Sequence, residues 1–377
     1  MAGNSLPSSL GGLMSKVKVA RSGLLTSGEG LFAAAPVECG ETVLRDHPLA
    51  NLDAEPFERE DPVILAAAHA RLAAAGGWWE HLSTSGVESL LGTEAGQALW
   101  RGPPQDSRKA AFVRCVDDTW PDGSIEERAR RVEVMMVFSY NAYISEGRGR
   151  FQIVYPIISK ANHACKPNAL VVAPEDGPGE IVSDKALAEG EEVMVSYLSN
   201  SDLLRPLLQR QSLLRDGWSF ECCCPRCTST ADDIRRFRCP RPGCTGNCIA
   251  LAGRDTLETT CCDHCGCQPS QEELGTWADQ ESEIEALVNS LPESLYSAWA
   301  KCEDFWKAHP LHGLAGRWKR CLAIRTALDV KDADSDEERT ELEAELEQHT
   351  AAVDECVRAV LAGPKNSGTR DPVHTSG

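Results

Sequence analysis

Apolar and polar residues alternate with different periods in different parts of the chain. From 17 to 50, short apolar or β-branched stretches, "VKVARSG" and "GEGLFAAAPVECGETVLRDHPLA", are divided by Gly28-Glu29-Gly30 and Cys39-Gly40-Glu41, which predicts strands joined by tight turns. From about 51 to 140 the spacing becomes helical. There "DPVILAAAHARLAAA" stops at Gly76-Gly77, and "SIEERARRVEVMMVF" opens with Ser124 and Glu127 at capping-box spacing. Between 151 and 197 the strand pattern returns in "RFQIVYPII", "NALVVA", "GEIVSDKAL" and "GEEVMVSY". A helix is predicted over "LLRPLLQRQSLLRD", where Leu203, Leu207, Leu208 and Leu214 recur near helical spacing. From Leu274 to about Leu361, "WADQESEIEALVNSL", "LYSAWAKCEDFWKAH", "LAGRWKRCLAIRTALDV" and the acidic stretch 336–361 predict helices without a clean repeat. Strands and helices thus segregate along the chain, which predicts an α+β protein.

Length changes the picture only by allowing two or three domains in 377 residues. Charge changes it more. A net charge of −19 argues against broad nucleic-acid binding, because a polyanion must be met by Lys and Arg, and it suits a basic protein or peptide partner. The basic run "RRFRCPR" is read as a solvated face rather than a phosphate site. No apolar run reaches the ~18 residues of a membrane span, so no membrane partner is expected. The first 16 residues lack the apolar core of a secretory signal and read as a flexible terminus, with a weaker organelle-transit pattern in their Ser and Lys and missing acids. The tail after Gly363 reads as disordered.

Seventeen cysteines are many for this length, and eleven of them fall between Cys222 and Cys267. Without a secretory signal, such clustering points to thiolate metal ligation rather than disulfides. "FECCCPRC" offers Cys222, Cys224 and Cys227 to one ion, with Cys223 pointing away, and leaves a tetrahedral zinc one ligand short. Cys165 in "ANHACKPNALVV" is a candidate for the fourth place, which spacing alone does not establish. A second set, "CPRPGC" and "CDHCG", gives C-x4-C and C-x2-C-G separated by 17 residues, the pattern of a zinc ribbon. Cys239, Cys244, Cys262 and Cys265 are assigned as its ligands, with Cys248, Cys261 and Cys267 as substitutes and His264 facing solvent. About two zinc ions are expected, both structural, since a closed four-thiolate site leaves no open position for catalysis.

Four stretches in order, "GEGLFA", "NHACKPN", "GEEVMVSY" and "WSFECCCPRC", together with "VFSYNAYI", resemble the SET-domain protein lysine methyltransferases, within them the SET-and-MYND branch. The resemblance covers about 17–50 and 135–270. It implies a β-rich SET fold (a β-clip with a knot-like crossing), a zinc-binding post-SET segment and an α-helical C-terminal domain. It also implies S-adenosylmethionine as cofactor and transfer of its methyl group to a lysine ε-amine of a histone or other protein. Carried over by residue, Gly28, Glu29 and Gly30 form the turn at the methionine end of the cofactor, and Asn141, Asn162 and His163 are further cofactor residues. Tyr197 matches the catalytic tyrosine and Phe220 the aromatic over the adenine. Trp218, also placed beside the cofactor, stands where many relatives have a second tyrosine. Cys165 with Cys222, Cys224 and Cys227 matches the zinc behind that site.

The implied division is a flexible 1–16, a SET N-terminal part 17–50, a helical insert 51–125, a SET core 126–217, a post-SET and zinc-ribbon region 218–273, a helical domain 274–363 and a tail 364–377. No cysteine lies between Cys39 and Cys115, so the MYND finger is absent and the insert takes its place. A cytoplasmic or nuclear location is expected. The alternative is a SET-like zinc-binding interaction module that has lost efficient transfer, to which Trp218, Glu29 and the absent finger give weight.

Overall fold

Strand β1 (Val17–Arg21) pairs antiparallel with β2 (Glu29–Ala33) over all five residues of each. The computed structural model describes residues 16–23, 28–53, 84–103, 106–145, 151–289, 295–333 and 335–362. The expected helix over "DPVILAAAHARLAAA", the first 15 residues and the tail lie outside them. The chain divides into two units, Met1–Tyr197 with Leu214–Cys222, and Leu198–Leu213 with Cys223–Gly377.

In the first unit three small sheets surround one core. Further strands are β3 (Thr42–Asp46), β4 (Ala50–Asp53), β5 (Ala142–Ile144), β6 (Phe151–Val154), β7 (Asn162–His163), β8 (Ala169–Val172), β9 (Gly179–Ser183) and β10 (Glu192–Val195). They assemble in the orders β1-β2-β10-β7, β3-β9-β8 and β4-β6-β5. Every pairing is antiparallel except that of β7 with β10, where Asn162 meets Met194 and His163 meets Val195. Leu31, Val43, Ile181, Val193 and Val195 are fully buried in the shared core, as the period-2 patterning of their strands requires.

The insert contributes α1 (Thr84–Gly92), α2 (Glu94–Gln97) and α3 (Ser107–Thr119) ahead of α4 (Ile125–Asn141). The capping box expected at the start of α4 is present: Ser124 Oγ accepts from Glu127 N at 3.1 Å while the Glu127 carboxylate accepts from Ser124 N at 3.0 Å. Met136, Val137 and Phe138 of α4 pack with Leu90, Val116 and the β4 residue Leu52 in a second core.

The segment 203–216 differs from expectation. Pro206 has no N–H to give and divides it into α5 (Asn200–Leu203) and α6 (Leu207–Trp218). Leu208, counted among the apolar repeats, is exposed, while Arg210 is buried. The Arg210 guanidinium lies 3.6 Å from Asp232 and also donates to the Arg205 carbonyl, which supplies the partners a buried charge needs.

In the second unit β11 (Ala231–Arg238) and β12 (Asn247–Leu251) form a hairpin. The helices α7 (Gln271–Asn289), α8 (Leu295–Ala308), α9 (Gly313–Asp332) and α10 (Asp336–Ala362) follow. Phe237 of β11 stacks on Trp277 of α7 with ring centroids 5.0 Å apart. Arg235 forks onto Glu281 with bonds of 2.7 and 2.5 Å, and Arg236 is buried with its Nε on the Asp233 carbonyl. "RRFRCPR" is therefore only in part the solvated face expected: Arg238 and Arg241 are exposed, while Arg235 and Arg236 are consumed inside the unit.

One buried carboxylate governs how the chain reaches β7. Asp46 Oδ2 accepts from the amides of Ile157 at 2.6 Å and Ile158 at 2.9 Å, opening the 3-10 turn Ile158–Lys160 that precedes Asn162. Burial pushes its pKa up to about 6, outweighing the two backbone bonds that favour the ionised form. The folded value lies above the unfolded one, so this contribution to stability is full below about pH 4 and is lost as pH rises through about 6. The change is at most about 3 kcal/mol, at 1.36 kcal/mol per pKa unit. Asp46→Asn keeps an oxygen acceptor without the charge and should remove this part of the pH slope. Urea titrations at several pH values between 4 and 7 check this; parallel curves for the two proteins would contradict it.

Candidate active site and thiol clusters

The two residues of β7 are held from both sides. Asn162 Nδ2 donates to the Glu29 carbonyl at 2.9 Å and to Glu192 Oε1 at 2.8 Å, tying β2 and β10 to the motif. Glu192 Oε2 in turn accepts from Ser22 Oγ at 3.0 Å. A Cβ on Gly30 would collide with the Glu192 carboxylate and stand 2.8 Å from Asn162 Nδ2, so a larger residue there would push these two side chains out of their bond. Glu29 itself points outward and pairs with Lys160 at 3.1 Å, which offsets its charge. Gly28 enters through its carbonyl, which accepts from Ser22 N at 3.0 Å.

His163 is used at both ring nitrogens. Nδ1 accepts the Tyr197 amide at 3.0 Å, so the proton of the neutral ring resides on Nε2, which lies 3.2 Å from Cys165 Sγ. This side chain thus links the backbone of the expected catalytic tyrosine to the expected metal ligand. The Tyr197 hydroxyl donates to the Ala161 carbonyl at 2.8 Å, leaving its oxygen lone pairs to accept from a second group. Burial, then the charge of Glu192, pushes the Tyr197 pKa well above the ordinary phenol value. The group is a neutral phenol at neutral pH.

Aromatic rings surround that phenol. Trp218 stands 5.4 Å from Tyr197 between centroids, Phe220 is edge-on at 6.3 Å, and His163 is 5.4 Å from Tyr197 and 6.1 Å from Phe220. Asn141 ends α4 and takes a different position. Its Nδ2 donates to the carbonyls of Trp100 at 2.7 Å and Val137 at 2.8 Å, and its own carbonyl accepts from Ser159 Oγ at 3.1 Å. Its amide nitrogen therefore braces the helix end, and Ser159 connects that end to the turn carrying Lys160 and Ala161.

The sequence reading did not single out Glu192, Ser22, Lys160 or Ala161 as members of this arrangement. "GEEVMVSY" held a signal for Glu192, since the second acid lies one pair before the β10 residues that meet β7.

Two four-thiol clusters are present. The sulfurs of Cys165, Cys222, Cys224 and Cys227 lie within 4.8 Å of one another, as do those of Cys239, Cys244, Cys262 and Cys265. In the second cluster Cys239 and Cys265 are 3.6 Å apart and Cys244 and Cys262 3.7 Å, close to the ~3.8 Å edge of a tetrahedron with 2.3 Å zinc–sulfur bonds. Gly246 N points at Cys244 Sγ at 3.4 Å and His264 N at Cys262 Sγ at 3.5 Å. A Cβ on Gly246 would stand 2.5 Å from Cys262 Sγ. The three substitutes are not needed: Cys248 is in the apolar core, and Cys261 and Cys267 bond Gln268. Cys223 and His264 are exposed, as expected.

No protein-family model matches the chain. The chain is 35% identical over 89 residues to the mouse protein-lysine N-trimethyltransferase SMYD5, covering 23% of this chain and 20% of that protein. It is 34% identical over 85 residues to the chicken N-lysine methyltransferase SMYD2, covering 22% and 19%. To the Arabidopsis thaliana histone-lysine N-methyltransferase ASHR1 it is 29% identical over 169 residues, covering 42% and 33%. Over these segments the chain is similar to the SMYD lysine methyltransferases. It spans a fifth to a third of the length of these relatives. Among solved structures, Rubisco LSMT bound to AdoMet superposes with a TM-score of 0.30 at 12% identity, over 92% of this chain and 87% of that one.

Two thiol clusters able to hold zinc set an expected content of about two zinc ions per chain. Cys244→Ser should lower it to about one while leaving the Cys165 cluster loaded. Atomic absorption on the purified protein checks this, and a wild type that carries a single zinc would contradict it.

Proposed function

We propose that the chain is an S-adenosylmethionine-dependent protein-lysine N-methyltransferase. The observation that carries the reading is the Tyr197 hydroxyl, fixed to the Ala161 carbonyl inside a ring of His163, Trp218 and Phe220. Relatives named as lysine methyltransferases support it. The donor set suits the cofactor: aromatic faces favour a cation, and the start of β2, at Glu29 and Gly30, brings backbone groups beside the Asn162 amide. Bound S-adenosylmethionine supplies an electrophilic methyl group on a sulfonium.

The residues present divide the remaining work. Asn162 and Gly30 set the floor on which the cofactor's amino-acid end would lie, and the Glu29–Lys160 pair flanks it. Phe220 and Trp218 exclude water. Tyr197, its own proton committed to Ala161, offers a lone pair to an N–H of the incoming amine and orients it. It is not the base, because burial and Glu192 keep it protonated. The amine must arrive neutral, which an apolar channel and a nearby positive charge favour by lowering its pKa from about 10.4. The inward Ala161 carbonyl can hold a polarised methyl through a weak C–H···O contact.

A net charge of −19 supports a basic peptide segment, in a histone or another protein, as the substrate. No described helix is long and apolar enough to cross a membrane. The thiol clusters suit a reducing compartment, cytoplasm or nucleus.

Incubation with methyl-labelled cofactor and a histone mixture or cell lysate tests the reading. Label should enter protein lysine with wild type and fall at least ten-fold with Tyr197→Phe, a loss of the size expected for one orienting group. Cofactor binding without any labelled protein would favour the interaction-module reading instead.

A further inference from the structure

The wall beside Tyr197 is pinned by a polar group outside the site itself. Asp106 caps α3, one carboxylate oxygen accepting Arg108 N at 2.9 Å while the other accepts a short bond from the Tyr140 hydroxyl. The Arg108 guanidinium lies 4.1 Å over the Tyr140 ring and donates to the Tyr140 hydroxyl, to Ser219 Oγ at 3.0 Å and to the Gly217 carbonyl. Tyr140 and Ser219 hydroxyls are 2.9 Å apart. The donors and acceptors close on one another: Tyr140 gives its proton to Asp106 and receives from Arg108 and Ser219. Gly102, at φ +80, makes room for the Tyr140 ring.

What these bonds hold is unusual. Ser219, at φ 59, is the one non-glycine residue with a positive φ among the described residues. A left-handed serine relaxes unless its surroundings fix it. Here it stands between Trp218 and Phe220, and its turn of the backbone sends both rings toward Tyr197.

We propose that Asp106, Arg108 and Tyr140 are positioning residues that hold Ser219 in its left-handed conformation, so that Trp218 and Phe220 form the wall of the transfer site. The insert thereby shapes the site without touching cofactor or substrate. The role of the wall rests on the methyltransferase reading; the lock itself rests on geometry alone. It also accounts for the strain at Ser219 and for the pairing of buried Asp106 with half-buried Arg108.

Hydrogen exchange of the segment 215–222 and calorimetric binding of S-adenosylhomocysteine test this on the full chain. Tyr140→Phe keeps the ring under Arg108 but removes the hydroxyl, and Arg108→Ala removes the fork. Both should speed exchange in 215–222 about ten-fold, leave 162–172 unchanged and weaken the probe about ten-fold, the size of one charge-assisted bond. Arg108→Lys, a point charge without the fork, should fall between. If either variant misfolds, Ser219→Ala, which keeps the left-handed strain and removes the hydroxyl that Arg108 and Tyr140 hold, takes its place with the same expectation. Unchanged exchange in 215–222 overturns the lock. Faster exchange with unchanged affinity overturns its link to the site. A wild type that binds no S-adenosylhomocysteine sinks the methyltransferase reading instead, and exchange alone then decides the lock.

Discussion

The active-site region depends on a pairing only two residues long. β7 lies parallel to β10, and so short a ladder cannot hold its register by hydrogen bonds alone. Side chains hold it instead. Asn162 reaches across to Glu29 and Glu192, and Asn168 extends the clamp by donating to the Glu192 carbonyl at 2.9 Å and accepting Met194 N at 2.8 Å. Asp46 fixes the turn that leads in, and His163 fixes the Tyr197 amide that leads out. A slip of one residue would place Asn162 and His163 on the wrong faces of the strand and dismantle every one of these contacts.

The clamp also explains how the proposed cofactor residues and a thiol able to hold a metal share four residues of chain. A thiol at Cys165 fixes the far end of the loop, and the imidazole between it and Tyr197 transmits that position to the phenol. Metal ligation here would act as a second shell acts around a metal centre, with the direction reversed: the cluster would orient Tyr197 through the histidine. The zinc-ribbon cluster has no such link. Its sulfurs are framed by the β11–β12 hairpin and by Phe237 and Trp277, and its task is to stabilise a small hairpin with little core of its own.

Much of this was legible in the sequence because the signals were local. Strands divided by glycines, the Ser124–Glu127 box and the two sets of cysteines each declare themselves within a few residues. The four ribbon cysteines could be grouped from sequence because knuckle spacing is itself the geometry, and their sulfurs converge. The break at Pro206 was underweighted against leucine spacing, which also put exposed Leu208 on a buried face and missed buried Arg210. The basic run misled for a related reason: charge read along a chain does not reveal that Glu281 waits on another helix. The Asp106–Tyr140 group was illegible as a site component because it gains its meaning from a partner more than 30 residues away.

Protonation joins these observations. In a chain so acidic, the natural expectation would be a carboxylate at the centre of the site, yet the nearest one, Glu192, is spent on Asn162 and Ser22. Its charge instead acts at a distance, helping to keep Tyr197 protonated. A neutral phenol that has already given its proton to Ala161 can only receive, and an amine with an N–H is the partner it suits. An ammonium would also offer N–H groups, but it has no lone pair for the methyl, and withdrawal from water penalises its charge. For the proposed methyl transfer, such an arrangement would select the nucleophilic form of lysine by what surrounds it, without a base.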